Sequence, residues 1–270
     1  MGPLHDHPNP LAPQRYRLLR LGVRAASACK PMLSLGLRML LRQPEQSRGR
    51  VLPMNVPLQP QQAELSRETL RRLIGSATVL AAMGECLCRR VGGCKDYPVD
   101  LGCLVLGEAV QALHPSLGRP IGRKQALALV DRALDCGLTP LVIQAMPDKW
   151  LWSLDHRRMV TVCFCCPCHC FVREAMGPMR HPSVLQGVLA APGLAAQVDT
   201  TACAGCGQCV KACFLDAIHM EDRIAAVDTS RCVACGRCAA VCQSGSIAVG
   251  ASPGYDADAL SAEFPTAGKY

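Results

Sequence analysis

The sequence predicts an α+β chain: a mainly helical, cysteine-rich N-terminal domain followed by a small unit of βαββαβ type. Three observations carry that prediction. Two cysteine runs lie near the C-terminus: Cys203, Cys206, Cys209 and Cys213, then Cys232, Cys235, Cys238 and Cys242. Each reads C-x2-C-x2-C-x3-C, and the second starts 29 residues after the first. Short β-type segments flank the runs: Ala217-Ile218-His219-Met220 and Ala225-Ala226-Val227-Asp228, joined by a Glu221-Asp222-Arg223 turn, then Ser246-Ile247-Ala248-Val249. Upstream, apolar residues recur at helical spacing, and a second field of cysteines is interleaved with them.

Composition sets the bounds. The chain has 270 residues, half of them hydrophobic, enough for one or two domains with cores of their own. Cysteine, at 19 residues, is far above ordinary usage. No apolar run ending in a small-residue cleavage site is evident at the N-terminus, so the cysteines read as metal ligands in a reducing compartment rather than as disulfides. The expected location is cytoplasmic, with the inner face of the membrane as the alternative. The formal charge of +8 is uneven: residues 1–50 hold nine basic and two acidic residues, a net +7, while residues 197–250 hold four basic and five acidic, a net −1. No charge-free apolar stretch is long enough to span a bilayer. The basic run lacks interleaved aromatics and any reader motif, which argues against nucleic-acid binding.

Four regions are expected in order: a basic amphipathic arm and linker at 1–50, the cysteine-rich helical domain at 51–195, the repeat unit at 196–250 and a tail at 251–270. Residues 1–14, rich in proline and histidine, read as a flexible tail. Residues 15–42 read as helix with a break near Pro31; arginines alternate with leucines there, a pattern that suits peripheral contact with an anionic membrane surface. Gln43–Arg50 reads as a polar linker. Gln61–Ile74 predicts a helix, Thr78–Met83 a buried segment, and Leu101–Leu113 the start of another helix. Residues 121–137 predict the clearest helix, with Gly122 before it and Gly137 as its C-terminal stop. Leu141-Val142-Ile143 is a candidate strand, and residues 177–198 read as surface chain.

The repeat carries the chemistry. Thiolates two residues apart in a tight loop grip adjacent corners of one iron–sulfur cubane, and the fourth thiolate of each run is carried off by the following helix to the other cubane. That assigns Cys203, Cys206, Cys209 and Cys242 to one [4Fe-4S] cluster, and Cys232, Cys235, Cys238 and Cys213 to a second. Gly205, Gly207 and Gly236 let the backbone turn closely around the sulfurs. Zinc ribbons use two C-x2-C pairs and do not explain two complete four-cysteine runs. This stretch of about 55 residues resembles the bacterial two-cluster ferredoxins. The family usually has proline after each fourth cysteine; here those positions are Phe214 and Gln243.

The second cysteine field holds Cys86, Cys88, Cys94, Cys103, Cys136 and the run Cys163, Cys165, Cys166, Cys168, Cys170, with His169 inside it. The run 163–170 fits neither a simple strand nor a simple helix. Cys136 reads as a buried helix residue. A third metal centre is expected from Cys86, Cys88, Cys94, Cys163, Cys165, Cys166, Cys168 and Cys170, holding a further iron–sulfur cluster or zinc, with His169 as a ligand or a neighbour. The segments Cys86-Leu87-Cys88-Arg89, Gly93-Cys94-Lys95-Asp96-Tyr97-Pro98, Gly102-Cys103-Leu104 and Cys163-Phe164-Cys165-Cys166-Pro167-Cys168 resemble a family of uncharacterised iron–sulfur proteins of anaerobic bacteria and archaea. That resemblance implies redox function and no settled reaction. The expected function is electron transfer between an unidentified redox donor and acceptor. The alternative is a reductase whose N-terminal cysteine-ligated centre is the active site, fed by the repeat unit; its catalytic residues are unknown.

Overall fold

The computed structural model describes residues 11–28, 47–56, 60–171, 185–264 and 266. The chain mixes helix and strand, as an α+β chain should. The N-terminal region, however, is organised on a sheet rather than on helices. Six strands pair antiparallel in the order β1-β5-β6-β3-β2-β4: β1 Ser47–Val51, β2 Leu80–Met83, β3 Leu104–Leu106, β4 Gly118–Pro120, β5 Thr139–Ala145 and β6 Val160–Cys165.

Period-2 alternation builds the two faces of this sheet. Leu80, Leu104, Leu106, Val142, Val160, Val162 and Phe164 point one way. They form one buried cluster with Leu70, Leu73 and Ile74 of helix α2 (Pro60–Ser76) and with Val130, Ala133 and Leu134 of helix α4 (Arg123–Asp135). Leu70, Leu104 and Leu106 are fully buried, each worth roughly 1.5–3 kcal/mol of transfer free energy. On the opposite face, Ala81, Met83, Val105 and Met159 pack with Val110 and Leu154. Further along that face Leu141, Ile143, Cys163 and Cys165 pack against Leu215, Ala217 and Val233 of the C-terminal unit. The strand register therefore turns the two odd-numbered cysteines of β6 toward the repeat.

Two expected helical or linking segments are strands. Residues 43–50 were expected as linker, but Ser47–Val51 is an edge strand in register with β5, Arg50 opposite Val142. Its charged composition is that of a protected sheet edge. Arg48 Nε donates to Gln144 Oε1 at 2.8 Å, and Arg50 pairs with Glu263 at 2.9 Å. The helix expected from Leu101 is instead β3 followed by a single 3-10 turn at Glu108–Ala112. Gly102 and Gly107 explain the change. A Cβ at Gly102 would lie 2.3 Å from the Met83 carbonyl oxygen, so the chain approaches β2 there; Gly107 takes φ 110, outside any helix. The expected helices at 61–74 and 121–137 are present, the latter capped by Gly122 and ended at Gly137 with φ 69. Of the run 163–170, the first three residues complete β6 and the rest form a turn.

Helix α1 (Leu11–Ala28) covers the first half of the expected 15–42 helix and also takes in residues 11–14 of the expected tail; residues 1–10, 29–42 and the break at Pro31 lie outside the described residues. α1 packs through Tyr16, whose ring meets Phe171 edge-on at 5.7 Å, and leaves Leu18 and Leu21 exposed. No helix among the described residues is long and apolar enough to cross a membrane.

The C-terminal unit runs β7 (Leu194–Val198), α6 (Gln208–Ala212), β8 (Ile218–Glu221), β9 (Ile224–Val227), α7 (Arg237–Ala240) and β10 (Ile247–Ala251). β7 pairs antiparallel with β10, and β8 with β9 through the Asp222-Arg223 turn. Besides the packing of β5 and β6 on Leu215, Ala217 and Val233, Met54 N–H donates to the Cys235 carbonyl at 3.1 Å, and the segment before β7 meets the sheet where Val51 bridges Ala190 and Leu189 is buried beside Val51 and Leu141. The segment after it, expected as a tail, contains helix α8 (Ala257–Ala262). It packs on α2 with Phe264 and Thr266 buried, Tyr255 bonded to Thr69, and Asp258 paired with Arg72.

Candidate metal centres

The two cysteine runs fold as a structural repeat, and the repeat reaches beyond the cysteines. Asp199 Oδ1 accepts from the Thr201 amide and hydroxyl, and Asp228 Oδ1 accepts in the same way from Ser230. Both carboxylates sit below their ordinary range because of those bonds. Each turn launches a cysteine loop four residues later. The D-T-[TS]-x-C pattern, repeated at the same spacing as the cysteines, was the sequence signal for it.

In the first loop, Gly205 and Gly207 have φ of 65 and 69. A Cβ at Gly205 would stand 2.6 Å from the Arg223 carbonyl oxygen, so only glycine allows the loop to close on the β8–β9 turn. Cys203, Cys206, Cys209 and Cys242 line one cavity with Met220, Val241 and Ile247. Cys206 is exposed. Cys242 Sγ lies 3.2 Å from Ser246 Oγ and 3.5 Å from Ser244 Oγ. Burial works to raise the Cys242 thiol, but those hydroxyls and the Ser246 and Ile247 amides outweigh it and lower it.

In the second loop Ala234, φ 53, stands where the first has Gly205, and Gly236, φ 83, where it has Gly207. Cys213, Cys232, Cys235 and Cys238 line a separate cavity with Leu215, Ile218 and Val233. The setting is more apolar. Burial pushes the Cys235 thiol up to about 12 and raises Cys238 further. Amides point at the sulfurs, Ala217 N to Cys213 Sγ at 3.3 Å and Ala234 N to Cys232 Sγ at 3.4 Å, the arrangement that stabilises thiolate on a metal.

The upstream field does not converge on one point. Of the eight cysteines expected at a third centre, Cys94, Cys166 and Cys168 meet, together with His169, all ligand atoms within 4.8 Å of one another. Cys94 Sγ is 3.6 Å from Cys168 Sγ. Helix α3 (Leu87–Gly92) ends at Gly93 in the left-handed region, which turns Cys94 back toward the loop after β6. Gly92 makes room for the histidine: a Cβ there would be 2.3 Å from His169 Cδ2. His169 Nδ1 is buried without a hydrogen-bond partner.

Beneath this group lies Arg89, fully buried, donating to the carbonyls of Pro98 at 2.9 Å, Phe164 at 2.7 Å and Leu101. Burial opposes its charge, yet Cys86, Cys166 and Cys103 hold it protonated. A buried guanidinium costs several kcal/mol unless an anion compensates it. Thiolates around Arg89 would supply that anion. Sequence reasoning read Arg89 only as part of a motif and missed both its burial and Gly92.

Four of the other described cysteines of this field form two close pairs. Cys163 faces Cys103 at 3.6 Å, and Cys165 faces Cys170 at 3.0 Å. Cys86 and Cys88 flank the start of α3, and Cys136 caps α4, partly buried against the main core. A third cavity is lined by Cys165, Cys166 and Cys170 on one side and by Phe214, Cys235 and Arg237 on the other. The last three residues also line the second quartet's cavity. Phe214, which stands where the ferredoxins usually have proline, is thus part of a shared wall, with the Arg237 guanidinium 5.7 Å from its ring centroid.

With this geometry in place, comparison with known proteins is informative at one end of the chain. Residues 196–246 match the family model of the 4Fe-4S dicluster domain. The C-terminal unit is therefore a ferredoxin-like iron–sulfur domain with at least one 4Fe-4S cluster, and the chain is a metal-binding iron–sulfur protein. No curated protein and no solved structure matches the chain, so the wider resemblance upstream of the domain gains no support.

Proposed function

We propose that the chain is an electron carrier with two [4Fe-4S] clusters in crossed quartets and one further metal ion in the N-terminal domain. The observation that carries this reading is the partition of the eight repeat cysteines: each cavity is lined by three thiols of one run and the last thiol of the other. Bound there, such clusters supply one-electron transfer at low potential. The residues of the chain do the rest. Cys206 opens the first quartet to solvent, where an external redox protein can approach. Ser244, Ser246 and the loop amides stabilise thiolate at Cys242. Phe214, Leu215 and Val233 keep water from the second quartet.

At the third centre, Cys94, Cys166, Cys168 and His169 fit around a single tetrahedral ion of the Cys3His kind. The buried Arg89 balances the charge of the Cys166 thiolate, and Gly92 leaves room for the histidine. Metal and sulfide analysis of the anaerobically purified chain tests the reading. Eight iron and eight sulfide, following four per motif, with one further ion that is lost in Cys94→Ser, is the expected result. About four iron atoms would remove the two-cluster reading. About twelve would make the third centre a cluster and favour the reductase alternative, in which the N-terminal centre is the active site.

A further inference from the structure

Cys165 and Cys170 stand apart from the metal group, although the loop that carries Cys166, Cys168 and His169 joins them. Their sulfurs are 3.0 Å apart. That separation discriminates between two fates. Two thiolates on one tetrahedral ion, with metal–sulfur bonds of about 2.3 Å, are held about 3.8 Å from each other. The Cys94–Cys168 pair, at 3.6 Å, is close to that geometry. The Cys165–Cys170 pair is well inside it and needs only to close to the roughly 2.05 Å of a disulfide bond.

The surroundings point the same way. Cys170 is buried, and both sulfurs border the cavity whose far wall is Cys235, Phe214 and Arg237. That wall is shared with the second quartet. Tyr16, 1% exposed, lies beside Cys88 and Cys170.

We infer that Cys165 and Cys170 form a redox-active dithiol–disulfide pair that exchanges electrons with the second quartet across the Cys235 wall. The route, though not the pair itself, rests on the two-cluster reading. On oxidation, the two S–H bonds break, the Sγ–Sγ bond forms, and two electrons and two protons leave. On reduction, two electrons arrive singly from a low-potential one-electron donor, the S–S bond breaks, and each sulfur takes a proton from solvent. The pair gives a chain of one-electron sites a place to hold two electrons.

The test uses the full-length chain, purified anaerobically and poised at a series of potentials with viologen dyes. Each sample is quenched in acid, denatured, alkylated and digested for mass spectrometry. The expected result is a Cys165–Cys170 crosslink at the oxidising end that opens with the slope of a two-electron couple, while Cys166 and Cys168 are never linked to it. Cys170→Ser abolishes the crosslink and leaves both the iron content and the ion at Cys94 in place. Alkylation of both cysteines at every potential overturns the inference. So does loss of a metal from both Cys165→Ser and Cys170→Ser, because that makes them ligands. A crosslink that thiols reduce but viologens do not, in a chain with only four iron atoms, supports the pair and removes the two-cluster reading instead.

Discussion

The two cysteine quartets share one spacing and one loop geometry, yet they sit in opposite settings. The first has an exposed cysteine, two serine hydroxyls on Cys242 and a thiol lowered from its ordinary value. The second is walled by Leu215, Val233 and Phe214, and burial raises Cys232, Cys235 and Cys238. The difference arises from what the N-terminal sheet covers. The face of β5 and β6 that carries Leu141, Cys163 and Cys165 packs on the second loop, whereas the first is met by Met54 and Val56, from the chain that leaves β1. Two loops of like geometry thus differ in exposure, and the electron-carrier proposal assigns the exposed one the entrance and the covered one the relay. The departure of Phe214 from proline falls at the interior quartet's wall, whereas Gln243, the matching departure, is exposed.

The largest expected effect separates the quartets by stability. Cys235→Ser removes a proposed cluster ligand at the joint, where the Cys235 carbonyl also holds Met54. It should lower unfolding free energy by on the order of 3 kcal/mol or more, as loss of a structural metal does. Cys206→Ser, at the exposed loop, should lose iron with a much smaller fall in thermal midpoint. Equal losses of stability would break the comparison.

Next comes the single-ion site proposed at Cys94, Cys166, Cys168 and His169. Gly92→Ala drives a methyl into the His169 ring and should weaken binding of the single ion about 10- to 100-fold, read by competition with a chromogenic chelator, with the iron content unchanged. A smaller effect sharpens the electrostatic contrast. Ser246→Ala removes a donor to Cys242 Sγ, so the first quartet's potential should fall by roughly 20–60 mV, the equivalent of about 0.5–1.5 kcal/mol per hydrogen bond, while the second stays fixed. Redox titration followed by electron paramagnetic resonance reads both.

The smallest effect is a control away from both quartets. Burial raises the Asp148 carboxyl to about 6, against the bond from Thr161. A folded-state value above the unfolded one means the folded chain holds the extra proton, so this group's contribution is present below about pH 4 and is lost as pH rises through about 6. Asp148→Asn should flatten the pH dependence of stability between pH 4 and 7 in denaturant titrations and leave the redox spectrum untouched.

The repeat unit was legible because its information is local: ligand spacing, glycines at the loop turns and strands of alternating polarity lie within one short stretch. The sheet was not. β3 is three apolar residues between two glycines, which reads like the start of a helix until β2 is known to lie 2.3 Å from where a Gly102 side chain would be. β1 is polar because it is an edge, and polarity in isolation reads as a linker. The helices α2 and α4, with periodic apolar stripes and, for α4, a glycine stop, were found at close to their true limits. For the upstream cysteines the sequence supplied the chemistry and not the grouping. Which thiols meet depends on strand parity in β6 and on Gly92, and both act only once the chain is folded.

The crossed arrangement of the quartets is the central claim, and a comparison of ligand variants tests it most directly. Electron paramagnetic resonance of the reduced protein would be recorded for Cys206→Ser, Cys235→Ser and Cys242→Ser. Cys242→Ser should reproduce the spectrum of Cys206→Ser, because both belong to the exposed quartet although they lie in different sequence runs. A Cys242→Ser spectrum that instead reproduces Cys235→Ser, its neighbour in sequence, would contradict the account.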